Sequence, residues 1–243
     1  MNKTLFISDL HLTESRPDIS KAFFDFLDNQ VTSELDALYI LGDFFEVWVG
    51  DDYQTDLTLK IAQELKAITN KGIPVYFIHG NRDFLVSKKY AELSGISILN
   101  ERTVIDLYGT PTLILHGDEM CTQDIEYQKF RKKSRGWWWP KLMLAMPLFY
   151  RQSVAKKARE RSKASQMDKA PEVLDVTHDA VIDTFKKYQT HLMIHGHTHR
   201  PKVHEHDIDG TPAKRIVLGD WYTQGSYLVV TKDAQDLIFT DFE

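Results

Sequence analysis

Short apolar runs alternate with segments of helical hydrophobic spacing through the first part of the chain. The runs have the length of buried strands and lie at residues 4–8, 36–41 and 74–78. Between them, apolar residues recur every three or four positions, as in amphipathic helices: Ile19, Phe23, Phe26 and Leu27, then Leu57, Ile61, Leu65 and Ile68. This alternation predicts parallel βαβ units, and the continuous apolar strands predict a sheet that is covered on both faces.

The remaining pattern predicts a different arrangement towards the end of the chain. A short helix is predicted at 88–94, a strand at 112–115, a long helix through Leu174, Val181, Phe185 and Tyr188, and a strand at 191–194. Three further strands follow without intervening helices, which is typical of antiparallel pairing: 215–218, 227–230 and 237–240. We therefore predict an α/β fold, a two-sheet sandwich with helices outside.

Residues 122–170 break this alternation. The segment 136–150 is densely apolar and aromatic and holds three of the five tryptophans. Basic residues flank it on both sides: Lys129, Arg131, Lys132, Lys133, Arg135, Arg151, Lys156, Lys157, Arg159 and Arg161. We predict that 122–170 is an insertion in a core formed by 1–121 and 171–243. Aromatic and basic residues together favour a helical cap that contacts lipid, and the alternative is an insert that packs its aromatics on the core.

Composition narrows the class of protein. The 243 residues are 42% hydrophobic, enough for one large domain or a domain with an insert. A formal net charge of -5 argues against a nucleic-acid partner, and a single cysteine, Cys121, cannot form an intrachain disulfide. The N-terminal segment lacks the apolar run of a signal peptide, and no apolar stretch reaches about 18 residues. We expect a cytoplasmic protein that is able to lie on a membrane.

Candidate metal ligands directly follow five of the apolar runs. The carboxyl ends of parallel strands meet at one edge of a sheet, so these side chains are expected to converge. Seven nitrogen and oxygen ligands exceed the needs of one open metal site but fit two ions such as Mn²⁺, Fe²⁺ or Zn²⁺ that share a carboxylate. For any single residue, a turn or a surface histidine is the alternative. The seven are Asp9, His11, Asp43, Asn81, His116, His195 and His197.

These motifs resemble the calcineurin-like metallophosphoesterase superfamily. The residues that carry the resemblance are Asp9-x-His11, Gly42-Asp43, Gly80-Asn81, His116-Gly117-Asp118 and Gly196-His197-x-His199. The resemblance implies a two-sheet αββα sandwich, here with a helical cap insertion. It also implies one metal ion held by Asp9, His11, Asp43 and His197, and a second held by Asp43, Asn81, His116 and His195. Asp43 would bridge the two ions, and His199 is expected to orient a ligand or to reach the substrate.

Arg82 departs from the superfamily pattern, in which a histidine usually follows the asparagine. Arginine cannot act as a general acid near neutral pH, but it can stabilise phosphate charge through two hydrogen bonds. This suits a leaving group that is itself a phosphate and needs no proton, whereas an alkoxide would need one. The substitution therefore favours cleavage of a diphosphate over cleavage of a simple alkyl phosphate.

A narrower resemblance is to the UDP-2,3-diacylglucosamine pyrophosphatase family of lipid A biosynthesis, carried by segments 41–52, 79–85, 195–201 and 217–221. It implies hydrolysis of a UDP-linked, doubly acylated glucosamine to UMP and the lipid 1-phosphate, with two Mn²⁺ ions. Gln166 stands where the family usually has asparagine. The protein is expected to be a monomer, peripheral on the cytoplasmic face of the inner membrane. The resemblance places several residues beside the nucleotide or sugar phosphate: Asp124, Arg159, Ser162, Gln166 and Lys169, together with Asn81, Arg82 and His195.

Three functional hypotheses follow. The first is a Mn²⁺-dependent pyrophosphohydrolase in which a hydroxide beside Asp43 attacks one phosphorus while Arg82 and His195 stabilise the developing charge. The second is a phosphodiesterase or phosphatase that acts on soluble nucleotides. The third is a non-catalytic scaffold, which is disfavoured because all seven ligand positions carry a ligand-type residue.

Overall fold

The protein is described by a computed structural model that covers residues 2–242, with the side chains of Lys163, Gln166, Met167 and Asp168 outside the described set. The helices and strands of this range follow one another in the order β1 (Lys3–Ile7), α1 (Pro17–Gln30), β2 (Leu35–Ile40), α2 (Asp56–Asn70), β3 (Val75–Phe77), α3 (Lys88–Ser94), β4 (Ser97–Ile98), β5 (Arg102–Leu107), β6 (Thr110–Leu115), α4 (Ile125–Ser134), α5 (Trp139–Ala145), α6 (Leu148–Asp168), α7 (His178–Tyr188), β7 (Leu192–His195), β8 (Lys202–Ile208), β9 (Thr211–Val217), β10 (Gln224–Val230) and β11 (Gln235–Asp241).

The strands form two mixed sheets. The first sheet has six strands in the order β11-β10-β1-β2-β3-β4, and the second has five in the order β5-β6-β7-β9-β8. Strands β1 to β4 are parallel to one another, as are β6, β7 and β9. The predicted antiparallel pairing near the C-terminus occurs as two hairpins, β8–β9 in the second sheet and β10–β11 in the first.

Three apolar clusters show how the layers stack. Successive strand residues point to opposite faces of a sheet, so Phe6 and Ile194 lie between the two sheets while their neighbours point outwards. The outer face of the first sheet packs against α1, α2 and α3, and Phe23 contributes to that cluster. The outer face of the second sheet packs against α7 through Val181 and Phe185. The order helix, sheet, sheet, helix confirms the predicted αββα sandwich.

Some boundaries differ from the sequence-based expectations. The helix predicted to run through Leu174 begins at His178, and the strands β4, β5 and β8 were not predicted. β5 and β8 are the two edges of the second sheet, and their residues are mostly exposed or half-buried. Edge strands bury little apolar surface, so they lack the apolar run on which strand prediction depends.

Residues 122–170 contain the helices α4, α5 and α6, and the bounds of the insertion stay a prediction. Met143 and Arg151 are buried, and the rings of Trp139 and Phe84 lie 5.8 Å apart. Trp137 is 80% exposed, so part of the aromatic segment packs against the protein and part faces solvent. Among residues 2–242, no helix combines the length and the apolar character needed to cross a bilayer.

Candidate metal centre

Most of the predicted ligands lie in loops that follow β1, β2 and β7 in an unusual backbone conformation. Asp9, His11, Asp43, His197 and His199 all have positive φ angles, between 50° and 69°. Residues other than glycine adopt this left-handed region rarely and at a cost of about 1 kcal/mol or more each. Such strain accumulates where a fold must aim side chains at one point, and it marks these loops as a functional site.

The glycines of the motifs allow these loops to pack backbone against backbone. A Cβ on Gly80 would lie 2.1 Å from the main-chain nitrogen of Asp43, and one on Gly196 would lie 2.2 Å from Oδ2 of Asp9. Neither approach is sterically possible for a larger residue. The glycines therefore bring the loops after β1, β2, β3 and β7 close enough for their polar side chains to meet.

The first group of ligand atoms comes from Asp9, His11 and His199, whose candidate atoms all lie within 4.8 Å of one another. Nε2 of His199 is 3.3 Å from Oδ1 of Asp9 and 3.4 Å from Nε2 of His11. The other Asp9 oxygen accepts hydrogen bonds from Ser8 Oγ at 2.6 Å and from the main-chain nitrogen of His197 at 2.9 Å. One oxygen of Asp9 is thus held in place while the other faces the histidines.

The charge states in this group suit a cation. Burial acts to raise the pKa of Asp9, but the adjacent His199 and the charges of His116 and His11 lower that pKa below its usual range. Burial lowers the pKa of His11 to about 4. An anionic carboxylate and a neutral imidazole are the forms in which these side chains bind metal ions.

The second group comes from Asp43, His116 and His197, with Asn81 beside them. One terminal atom of the Asn81 amide lies 3.0 Å from His116 Nε2, 2.9 Å from His197 Nδ1 and 3.3 Å from Asp43 Oδ2. When that atom is the amide oxygen, these groups present lone pairs to one another, an arrangement that a cation stabilises. His116 also donates from Nδ1 to the Leu41 carbonyl at 2.8 Å, which leaves Nε2 free to bind.

Asp43 lies between the two groups. Its Oδ2 is 3.9 Å from His11 Nε2, and its Oδ1 is 3.7 Å from His116 Nε2. The main-chain nitrogen of Arg82 donates to Oδ1 at 2.9 Å and fixes the carboxylate between them. This geometry is consistent with the predicted bridging role of Asp43.

His195 does not join either group in the described residues, although it was predicted as a ligand, a substrate contact and a catalytic residue. Its Nδ1 donates to the Gly196 carbonyl at 2.8 Å, and its Nε2 accepts from Arg215 Nη1 at 3.1 Å. Burial and the Arg215 charge lower the pKa of His195 to about 3. β7 extends through His195, so its side chain points away from Ile194 and the inter-sheet core, and only at Gly196 does the chain turn towards the site.

The predicted substrate contacts fall in three places. Nε of Arg82 lies 3.7 Å from Asp43 Oδ2, and its Nη1 is buried without a hydrogen-bond partner in the described part of the chain. Asp124 caps α4 and pairs with Lys169 at 2.8 Å. Arg159, on α6, pairs with Glu46, whose other carboxylate oxygen is 3.3 Å from His11 Nδ1.

The two remaining predicted contacts add little to this geometry. Ser162 is half-buried on α6, and the side chain of Gln166 lies outside the described residues. The positions of both residues relative to a substrate therefore stay predictions.

Several residues around the site were not predicted. Tyr222 stacks on His11 with ring centroids 5.2 Å apart and an interplanar angle of 3°, and Tyr127 stacks on His197 at 5.9 Å. Glu46 and Asp220 contact His11 and His199 at 3.3 Å each. Glu46 lies within the segment 41–52 that carried the narrower resemblance, whereas no periodicity or spacing marked the tyrosines.

Two sheets that bring carboxylates and histidines together at their strand ends define a metal-dependent phosphoesterase site. Residues 3–201 match the Calcineurin-like phosphoesterase family. The chain belongs to this family.

Full-length relatives narrow the comparison. The chain is 49% identical to the UDP-2,3-diacylglucosamine hydrolase of Proteus mirabilis (strain HI4320), over 97% of this chain and 98% of that protein. It is 48% identical to the protein of the same name from Marinobacter nauticus, over 95% and 94% of the two chains, and 47% identical to that of Escherichia coli O7:K1, over 98% and 99%. These three relatives, with which the chain aligns along nearly its whole length, carry one name.

Proposed function

We propose that this protein is a metal-dependent hydrolase that cleaves the diphosphate bond of UDP-2,3-diacylglucosamine, giving UMP and 2,3-diacylglucosamine 1-phosphate in lipid A biosynthesis. The observation that carries the proposal is the convergence of two groups of ligand atoms on Asp43, with the buried guanidinium nitrogen Nη1 of Arg82, which has no hydrogen-bond partner in the described part of the chain, beside them. Relatives of 47–49% identity over nearly the full length support the substrate.

The metal ions are proposed to be two Mn²⁺. Nitrogen and oxygen ligands without thiolates suit this ion. The arrangement of side chains favours one ion held by Asp9, His11, Asp43 and His199, and a second held by Asp43, Asn81, His116 and His197. When bound, two such cations supply an activated water and stabilise the negative charge that develops on phosphate oxygens. This assignment places His199 in a ligand position, and the sequence-based assignment, with His197 at the first ion and His195 at the second, stays a prediction.

Arg82 is proposed to bind the diphosphate. Its Nη1 lacks a hydrogen-bond partner among the described residues and is buried, so a phosphate oxygen would satisfy it. The guanidinium cannot lose a proton near neutral pH, so it stabilises the leaving phosphate by charge and does not protonate it. This is the chemistry of a diphosphate, whose leaving group is already a stable anion.

The cap is proposed to hold the rest of the substrate. Arg159 and Lys169 are ion-paired with Glu46 and Asp124, and each is proposed to exchange its carboxylate partner for a phosphate. Ser162 and Gln166 are proposed to contact the nucleotide from α6. The exposed Trp137 and Phe149 would contact acyl chains or the cytoplasmic face of the inner membrane, with the protein acting as a monomer.

The proposal is tested with metal-stripped protein and UDP-2,3-diacylglucosamine in detergent micelles. We expect no turnover after EDTA treatment, recovery of activity when Mn²⁺ is added, and loss of turnover in Asp43→Ala with the far-UV circular dichroism unchanged. Hydrolysis in ¹⁸O-water should place one label on either UMP or the lipid 1-phosphate, which identifies the attacked phosphorus. Full activity of metal-stripped protein would contradict the mechanism.

The choice of substrate distinguishes this proposal from the competing hypothesis of a phosphodiesterase or phosphatase that acts on soluble nucleotides. UDP-N-acetylglucosamine, which lacks the long acyl chains, is the matched soluble compound. We expect it to be cleaved far more slowly than the lipid at equal concentration. Equal rates would favour the competing hypothesis.

A further inference from the structure

The first helix of the cap presents one polar face to the loops of the metal centre. Tyr127, Arg131 and Arg135 are spaced four residues apart along α4 and its C-cap, so they lie on one side of the helix. Tyr127 donates to Asp118 and stacks on His197. Arg131 donates from Nε to the same carboxylate at 2.9 Å. This face is therefore bound to core loops that carry the ligand residues.

Arg135, the C-cap residue of α4, contacts the loop that carries Asn81. Its Nη2 donates to the main-chain carbonyls of Gly80 at 2.8 Å and of His79 at 3.2 Å. The guanidinium lies 5.5 Å from the ring centroid of Phe84, at the other end of the same loop. Glu101 orients it through an ion pair to Nη1 at 3.1 Å. One side chain of the cap region thus spans the segment from His79 to Phe84.

These carbonyls need a donor because β3 has already ended. The last sheet hydrogen bonds of this strand are made by Phe77 and Ile78 to their neighbours. Beyond them, Asp83 holds the loop from within, accepting from the main-chain nitrogens of Gly80 and Phe44 at 2.8 Å each. Asp83 holds the planar peptide that joins His79 to Gly80 through its N–H group, whereas the next peptide, which carries the Gly80 carbonyl, is held from the other side by Arg135.

We propose that Arg135 is a positioning residue for Asn81 and Arg82, acting through the carbonyls of His79 and Gly80. The inference rests on the proposed two-ion site. Rotation of the peptide after Gly80 would swing Asn81 away from His116 and His197, and Arg82 away from Asp43. Arg135 prevents that rotation without contacting either ion or the substrate. α4 is consequently part of the scaffold of the metal centre as well as the first helix of the cap.

The experiment compares Mn²⁺ binding to metal-stripped wild-type protein and to Arg135→Ala by titration calorimetry, with the electron paramagnetic resonance spectrum of bound Mn²⁺ as a second readout. Asn81 is a proposed ligand of only one ion. We therefore expect the affinity for one of the two ions to fall by about 10- to 100-fold, the usual effect of losing a partner that orients a ligand, while the other affinity is retained. The kcat should fall by a similar factor with little change in KM.

Two variants separate positioning from general destabilisation. Arg135→Lys can still donate to the carbonyls and should recover most of the lost affinity. Lys132→Ala removes an exposed cation from the same helix and should bind both ions as the wild type does. If Arg135→Ala does not fold, Arg135→Gln replaces it, with the same loss expected.

The outcomes distinguish this inference from the proposed function. If the wild type binds two Mn²⁺ ions and a folded Arg135→Ala or Arg135→Gln binds both ions with the wild-type affinities, the positioning role alone is wrong. A wild-type protein that binds no Mn²⁺ would overturn the proposed metal centre itself, and the positioning role with it.

Discussion

Each ligand group takes one histidine from the segment 196–199. The chain turns at Gly196, and the left-handed backbone of His197 and His199 sends their rings to different groups. His195 precedes the turn, belongs to β7 and is held by Arg215. At the scale of single residues, the end of the strand therefore decides which of three closely spaced histidines joins a group of candidate ligands.

A comparison of His199→Ala with His195→Gln tests this assignment. We expect His199→Ala to bind one Mn²⁺ ion instead of two and to lose activity by more than the roughly 100-fold typical of outer-sphere substitutions. His195→Gln should keep both ions, although its Tm should fall because a buried contact with Arg215 changes. The metal content of each variant, measured after gel filtration, distinguishes the two ligand assignments. Loss of an ion in His195→Gln, with two retained in His199→Ala, would restore the sequence-based ligand set.

At the scale of elements, α6 is docked on the core through one buried cation. The Arg151 guanidinium donates from Nη1 to the Val49 carbonyl at 2.6 Å and to Asp52 Oδ1 at 2.7 Å. The hydrogen bond with Arg151 lowers the pKa of Asp52 below its usual value. The pair therefore stabilises the folded protein when Asp52 is ionised, which makes the docking of the cap sensitive to acid.

Asp52→Asn is expected to remove this stabilisation in a pH-dependent way. Because the folded pKa of Asp52 lies below the unfolded value of about 3.9, the contribution is present above about pH 4 and is lost as the pH falls through the lowered pKa. At pH 7 we expect a loss of roughly 1 kcal/mol, or about 2–4 °C in Tm, which shrinks towards zero as the pH falls through the lowered pKa. Thermal melts across this range, with the exposed Asp28→Asn as control, provide the measurement. A Tm difference independent of pH would contradict the assignment.

The elements that could be predicted are those that bury a continuous apolar run. β1, β2, β3, β6 and β7 were predicted close to their observed positions, and the helix at 88–94 matches α3. β8 was missed because its polar and apolar residues lie at an exposed edge, where pairing with β9 depends on the neighbouring strand. Long-range pairing of this kind leaves no local signal in the sequence.

At the scale of the molecule, the two sheets bring residues from opposite ends of the chain to one edge. The loops after β1, β2 and β3 come from the first sheet, and those after β6 and β7 come from the second. The cap helices lie beside these loops and leave a group of large apolar side chains exposed: Trp137, Trp138, Leu142, Phe149 and Tyr150. Exposed apolar side chains on the cap would suit a substrate that carries acyl chains as well as a diphosphate.

Binding to anionic vesicles tests the role of this surface. We expect the protein to sediment with vesicles of phosphatidylglycerol and phosphatidylethanolamine. The double variant Trp137→Ser/Phe149→Ser should bind at least about tenfold more weakly, because it lacks the two aromatic rings that would be buried in the lipid. Phe239→Ser, at an exposed site on β11, is the matched control. Equal sedimentation of all three proteins, or no sedimentation of the wild type, would contradict a membrane role for the cap.

The sequence by itself determined the class of site, because ligand-type residues that directly follow buried strands must collect at a sheet edge whichever way the loops bend. It also determined the αββα layers, since the apolar period and the succession of helices and strands along the chain are local properties. Only the tertiary structure decided that His199 stands with Asp9 and His11 while His195 packs on Arg215, and that Arg135 of the cap supports the Asn81 loop. These depend on where a strand ends and on contacts between distant segments, which the spacing of residues does not encode.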